Sequence, residues 1–229
     1  MIFRQLFDLA SSTYTYILAD SDGKEGVIID PVMENVDRDF QILQELGIQL
    51  KWILDTHVHA DHITAAAALK EKTGAKIGLG AGANVACADR LFQENEEISF
   101  GDYQLKVIAT PGHTDSCTSY YLKGYCVFTG DTLLIRGCGR TDFQQGSSER
   151  LFQNVREKLF TLPDETLVYP AHDYKGRMAS SIGEEKQFNP RLKLSNTKEQ
   201  FIEIMKNLKL DYPKQIDRAL PANLKCGKV

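Results

Sequence analysis

Short apolar runs separated by turn residues dominate most of the chain, and their spacing predicts its elements. Residues 13–18 are β-branched and aromatic, residues 26–29 are apolar, and Asp22-Gly23 lies between them, which predicts a hairpin. Asp30-Pro31 ends its second strand. Residues 37–46 carry Phe40, Leu43 and Leu46 at helical spacing, and Gly47 stops that helix. Trp52-Ile53-Leu54 reads as a buried strand, residues 64–72 as an Ala-rich helix closed by Gly74, and residues 76–79 as a further strand. A second strand-rich group follows at residues 98–100, 104–109, 119–122 and 125–128, with Lys123-Gly124 as a tight turn. Residues 148–160 read as helix, 166–169 as strand and 198–208 as helix.

Two strand groups, each followed by helices, predict one α/β domain of two mixed sheets packed face to face with helices outside. The whole of residues 1–229 is read as that domain, with a core over about 1–175. Residues 176–229 form a C-terminal extension on it, broken by Asn189-Pro190, Tyr212-Pro213 and Leu220-Pro221.

Composition narrows the class. At 229 residues with 42% hydrophobic and 25% charged positions, the chain can bury a real core and is not disordered. A net charge of −4 argues against a nucleic-acid binder. No apolar stretch approaches the ~20 residues that cross a bilayer. Arg4 and Asp8 interrupt what a secretory leader would need as an apolar core. Cys87, Cys117, Cys126, Cys138 and Cys226 are odd in number and lack C-x-x-C spacing. No disulfide framework is expected, and a cytoplasmic location is.

The chemistry lies in where the five histidines fall. His57, His59 and His62 stand in Thr56-His57-Val58-His59-Ala60-Asp61-His62, directly after a strand. His113 follows Thr110-Pro111-Gly112, His172 follows Tyr169-Pro170-Ala171, and Asp131 follows Phe128-Thr129-Gly130. Each sits at a strand end, so the side chains can converge with little loop entropy. Imidazole and carboxylate suit Zn, Fe and related ions. His57 and His59 share a face in extended backbone, and Asp61 is placed either to cap the next helix or to face the metal. These positions can hold two metals that activate a water, or one iron on two His and a carboxylate with room for O2. Zinc has no redox chemistry, so the two cases differ in reaction, but the ligand residues alone leave both open.

The THVHADH run with His113, Asp131 and His172 resembles the metallo-β-lactamase superfamily. That resemblance implies an αββα sandwich with the metal at one edge of the sheets. The run from Thr129 to Gly146, which contains Asp131, Gly137-Cys138-Gly139-Arg140 and Asp142, resembles the persulfide dioxygenases of the ethylmalonic encephalopathy protein type. So do Tyr169-Pro170-Ala171-His172-Asp173-Tyr174, Asn189-Pro190-Arg191 and the tail from Pro221 to Gly227. Ala65 departs from the Gly that relatives usually carry, at a helix start where Ala is favourable.

What this resemblance implies is a sulfur dioxygenase that oxidises glutathione persulfide with O2 to sulfite and glutathione, using one Fe(II) per chain. Carried over by motif, the iron ligands are His57, His113 and Asp131. His59, Asp61, His62 and His172 form a polar surround that tunes them. Arg140 and Tyr174 are candidates for holding the glutathione part, Arg140 as a carboxylate clamp or equally as an ion-pair partner of Asp142. Cys138 is either a small buried residue or a redox-sensitive thiol. The partners implied are glutathione persulfide and O2, with no nucleic acid and no membrane, and a homodimer is compatible. The alternative reading is a glyoxalase II-like hydroxyacylglutathione thioesterase with two metals. A metal- or sulfur-binding module without catalysis is a third class, disfavoured by the complete ligand set.

Overall fold

The computed structural model describes residues 1–228. The first sheet runs β1 (Ile2–Phe7), β2 (Tyr14–Ala19), β3 (Glu25–Ile29), β4 (Gln49–Leu54), β5 (Lys76–Gly80) and β6 (Arg90–Phe92) in that spatial order. The second runs β7 (Glu97–Phe100), β8 (Tyr103–Ala109), β9 (Thr118–Leu122), β10 (Cys126–Gly130), β11 (Leu167–Pro170) and β12 (Ser180–Ser181). Both sheets are mixed: β3, β4, β5 and β6 pair in parallel, as do β10 and β11, and the other pairs are antiparallel. The sandwich expected from the strand grouping is the observed fold.

Period-two alternation decides which layer each side chain enters. Tyr14, Tyr16 and Leu18 of β2 join Val27, Ile29, Leu105, Tyr120 and Phe128 between the sheets. Their neighbours Ile17, Ala19 and Ile28 turn the other way, under α1 (Val36–Glu45) and α2 (Ala66–Thr73). On the far side Tyr121, Val127 and Val168 pack beneath α3 (Ser148–Asn154) and α5 (Lys198–Lys206) through Leu151 and Phe201. α3 continues into a π-helical turn over Val155–Leu159, so the helix expected at 148–160 is present with a change of winding.

Four features differ from expectation. β1 pairs along β2, although Arg4 and Gln5 break the apolar pattern that marks a strand. Its edge position tolerates them. α2 starts at Ala66 rather than Thr64, so His62 lies in the loop before it and Asp61 caps nothing. α4 (Ile182–Phe188) and α6 (Ile216–Asn223) add helices to the C-terminal extension. α6 contains Pro221, whose turn-forming character hides the helix from sequence reading. The fourth concerns the cysteines. Cys87 and Cys226 form a disulfide with a Cα–Cα distance of 6.0 Å, across 139 positions, which corrects the expectation of cysteines without one. Their spacing carries no sign of it, because α6 must first fold back beside the segment after β5. Cys117, Cys126 and Cys138 are free and buried. No helix among the described residues is long and apolar enough to cross a membrane.

Candidate metal centre

Between β4 and α2 the chain runs from Asp55 to Ala65 without regular structure, and neighbours on both sheets pin it. Thr118 N donates to Thr56 O (2.8 Å), Val58 N to Ser116 Oγ (3.1 Å) and Tyr120 Oη to Asp55 O (2.9 Å). From the first sheet Asp30 reaches in. It is fully buried and left-handed (φ 52°), a backbone state that costs a non-glycine residue about 1–3 kcal/mol. Its carboxylate accepts from Thr56 N (2.7 Å), Thr56 Oγ1 (2.9 Å) and His59 Nε2 (3.0 Å).

These bonds set the imidazole tautomers. The Thr56 hydroxyl gives its proton to Asp30, so it accepts from His57 Nδ1–H at 3.0 Å, leaving His57 Nε2 with a bare lone pair. His113 Nδ1 donates to Arg140 O (2.6 Å), which leaves His113 Nε2 bare as well. His172 Nδ1 donates to Asp131 Oδ1 (2.7 Å), and the other oxygen, Oδ2, lies 3.7 Å from His113 Nε2. His57, His113 and Asp131 thus present one ligand atom each, all within 4.8 Å of one another. Glycines make the approach feasible. A Cβ on Gly130 would lie 2.7 Å from Thr56 Oγ1, and one on Gly139 would lie 2.7 Å from His113 Nδ1.

Electrostatics follow the same division. Burial, and then the neighbouring His59 and His113, depress the His57 pKa well below its ordinary value, so its ring is neutral. Burial raises the Asp131 carboxyl, but the charge and hydrogen bond of His172 and the nearby His113 outweigh it, and its pKa is lowered. His59 differs from His57: burial opposes its charge, but Asp30 raises its pKa to about 9. His172 lies between Asp131 and Asp61, which raise its pKa well above the usual range despite burial. Two imidazoles whose Nδ1 atoms are already committed to oxygen acceptors, with an ionised carboxylate, are a donor set that fits a metal ion.

The remaining histidine-loop residues are spent on one another. Asp61 Oδ2 accepts from His172 Nε2 (2.8 Å) and His62 Nδ1 (2.9 Å). Thr13 Oγ1 lies 3.1 Å from His172 Nε2 and 3.3 Å from His62 Nδ1. His59, Asp61 and His62 also bring ligand atoms within 4.8 Å, and His59 Nδ1 and His62 Nε2 have no protein partner. Only Asp61 Oδ2 is engaged by the two imidazoles; Asp61 Oδ1, like His59 Nδ1 and His62 Nε2, has no hydrogen bond among the described residues.

Two cavities meet at this cluster. One, of about 490 Å³, is lined by Asp131 and His172 and by the cations Arg136, Lys175, Arg177 and Arg191. The other, of about 360 Å³, is lined by His113, Asp131, Ala60, Phe143 and Pro213. Arg140 and Tyr174 line both. Tyr174 is 72% exposed and stacks parallel to His172 at 6.0 Å. The Arg140 guanidinium makes the ion pair with Asp142, at 2.7 and 2.8 Å, and bonds Asp211 O at 2.7 Å. Three of its five N–H groups are used in this way, leaving two. Cys138 is buried, which raises its thiol pKa to about 11, so it is no thiolate at neutral pH.

Sequence reasoning missed Thr56, which orients His57, Asp30, which holds Thr56 and His59, Thr13, which meets His62 and His172, and Asn223. Asp30 was legible only as a strand terminator; its left-handed backbone and inward carboxylate leave no mark in spacing.

A family model described as the metallo-beta-lactamase superfamily matches residues 9–172. The chain is 46% identical over 228 residues to a Homo sapiens protein described as persulfide dioxygenase ETHE1, mitochondrial, covering 99% of this chain and 89% of that one. A crystal structure of ETHE1 from Myxococcus xanthus superposes with a TM-score of 0.95 at 54% identity, covering 99% of this chain and all of that one. At 30% identity, over 97% of this chain and 89% of the other, stands a Dictyostelium discoideum protein described as glyoxylase B2.

Proposed function

We infer the reaction from one premise: this chain belongs to the metallo-β-lactamase superfamily and, within it, to the persulfide dioxygenase family. It is an oxidoreductase, a sulfur dioxygenase acting on a persulfide with O2. The substrate proposed is glutathione persulfide. One persulfide, one O2 and one water would give one thiol, one sulfite and two protons. The metal proposed is a single Fe(II), held by His57, His113 and Asp131.

The observation that carries the metal assignment is the pair of bare imidazole nitrogens and the carboxylate oxygen in one cluster. Bound Fe(II) would supply the one-electron chemistry that lets O2 react with sulfur, which Zn(II) lacks. The protein does the rest. Arg140 O and Thr56 Oγ1 orient the two imidazoles, and the His172 cation fixes the Asp131 carboxylate. Tyr174 offers an exposed aromatic face beside the cluster. Arg136 is paired with Glu184 and Glu185 and Arg177 with Asp173, so among the larger cavity's cations Lys175 and Arg191 suit the carboxylates of a glutathione moiety, and Arg140 retains two N–H groups to join them.

The two-metal thioesterase is less favoured, because the chain is 46% identical to a protein described as a persulfide dioxygenase and only 30% identical to one described as glyoxylase B2. Iron-loaded protein given glutathione persulfide should consume O2 and release sulfite in equal amounts, followed with an oxygen electrode and a sulfite assay. Hydrolysis of a glutathione thioester with no persulfide-dependent O2 uptake would overturn the reading.

A further inference from the structure

The tail that carries Pro221 to Gly227 lies outside residues 9–172 and has no part in the reaction as described so far. It nevertheless bonds the histidine loop directly. Asn223, the last residue of α6, is 4% exposed. Its Oδ1 accepts from Thr64 N at 2.9 Å. Its Nδ2 donates to His59 O at 2.9 Å and to His62 O at 2.8 Å. Among the described residues no backbone N–H bonds either carbonyl, so this one amide satisfies both. Every hydrogen bond of the side chain goes to the stretch between His59 and Thr64.

The contact is built, not incidental. Cys226 O accepts from Ala67 N at 3.0 Å, tying the tail to the start of α2. A Cβ on Gly227 would lie 2.0 Å from Thr64 O, so glycine allows the tail to press onto the loop. Ala219 and Ala222 pack on Ile63, and the Cys87–Cys226 disulfide fastens the tail from the other side.

We propose that Asn223 is a positioning residue for the metal centre: through the backbone of His59, His62 and Thr64 it holds the loop that aims His57. The loop belongs to no helix or extended strand; its C-terminal end is bridged to the segment after β3 at Ile63–Ala65, but the carbonyls of His59 and His62 have only this amide, and a buried carbonyl without a partner is costly. Removing the amide therefore releases the loop rather than merely loosening α6. This rests on the metal-site reading above and not on the identity of the sulfur substrate.

The test is anaerobic Fe(II) titration of the full chain and its variants, read beside amide hydrogen exchange over residues 57–64. Asn223→Ala is expected to weaken Fe(II) by about 10- to 100-fold, the range for partners that orient metal ligands, and to expose the Thr64 amide. Asn223→Asp keeps the acceptor for Thr64 but sets a carboxylate against two carbonyls. It should keep that amide protected and still weaken Fe(II). Phe201→Leu, in the separate cluster under α3 and α5, should lower thermal stability without changing Fe(II) affinity. Parent-like Fe(II) affinity in Asn223→Ala, or an equal loss in Phe201→Leu, would overturn the proposal. A parent chain that takes up no Fe(II) would overturn the metal-site reading and this proposal together.

Discussion

His57 and His59 are two positions apart with rings 4.1 Å apart, yet their nitrogens answer to different partners. His57 keeps Nε2 free, whereas His59 gives Nε2 to the buried Asp30. This predicts unlike outcomes for like substitutions. His113→Ala should lose both iron and O2 uptake. His59→Ala should retain most of its iron while turnover falls by about 10- to 100-fold, as is usual for residues that orient ligands. It should also lose about 1–3 kcal/mol of stability, because the buried Asp30 carboxylate loses its charged donor and keeps only the two bonds from Thr56. Iron content and turnover measured on the two variants check this, and an empty site in His59→Ala would reverse the assignment. At this scale the sequence is informative where spacing carries chemistry. The H-x-H-x-D-H run and the three further strand-end residues His113, Asp131 and His172 point to a metal site because no packing need explains them. Asp30 does not show, since an Asp before a Pro is ordinary turn chemistry until the fold turns its carboxylate inward.

Among the elements, strands with an unbroken β-branched, aromatic or apolar run are legible and those without one are not. β2 and β3 are buried on both faces and carry such runs, and the strands and the turn between them fall within a residue of where the runs put them. β1, β6 and β12 are edge or short strands whose stability comes from a neighbour rather than from their own pattern. α6 is hidden by Pro221, and what stabilises it is tertiary: small alanines against Ile63, the Asn223 bonds and the Cys87–Cys226 link. A link across 139 positions constrains the unfolded chain strongly, and removing such a bond typically costs about 2–5 kcal/mol. Cys87→Ser should therefore lower the unfolding free energy by about that amount in oxidising buffer. In excess reductant the variant and the parent should unfold at nearly the same denaturant concentration. A variant as stable as the oxidised parent would show that the bond contributes nothing.

For the molecule as a whole, the sandwich brings the ends of β4, β8, β10 and β11 to one edge, which is why His57, His113, Asp131 and His172 meet although far apart in sequence. The fold is shared by proteins of different chemistry, so it alone does not choose the reaction. That choice comes from membership in the persulfide dioxygenase family. The extension beyond residue 172 matters in the same way: it supplies two cavity walls and the clamp on the loop. The central claim is a single metal on His57, His113 and Asp131. Its most direct test is the metal content of anaerobically reconstituted, desalted protein, counted by elemental analysis against the chain. The account predicts about one iron per chain. Two tightly held metal ions per chain would contradict it.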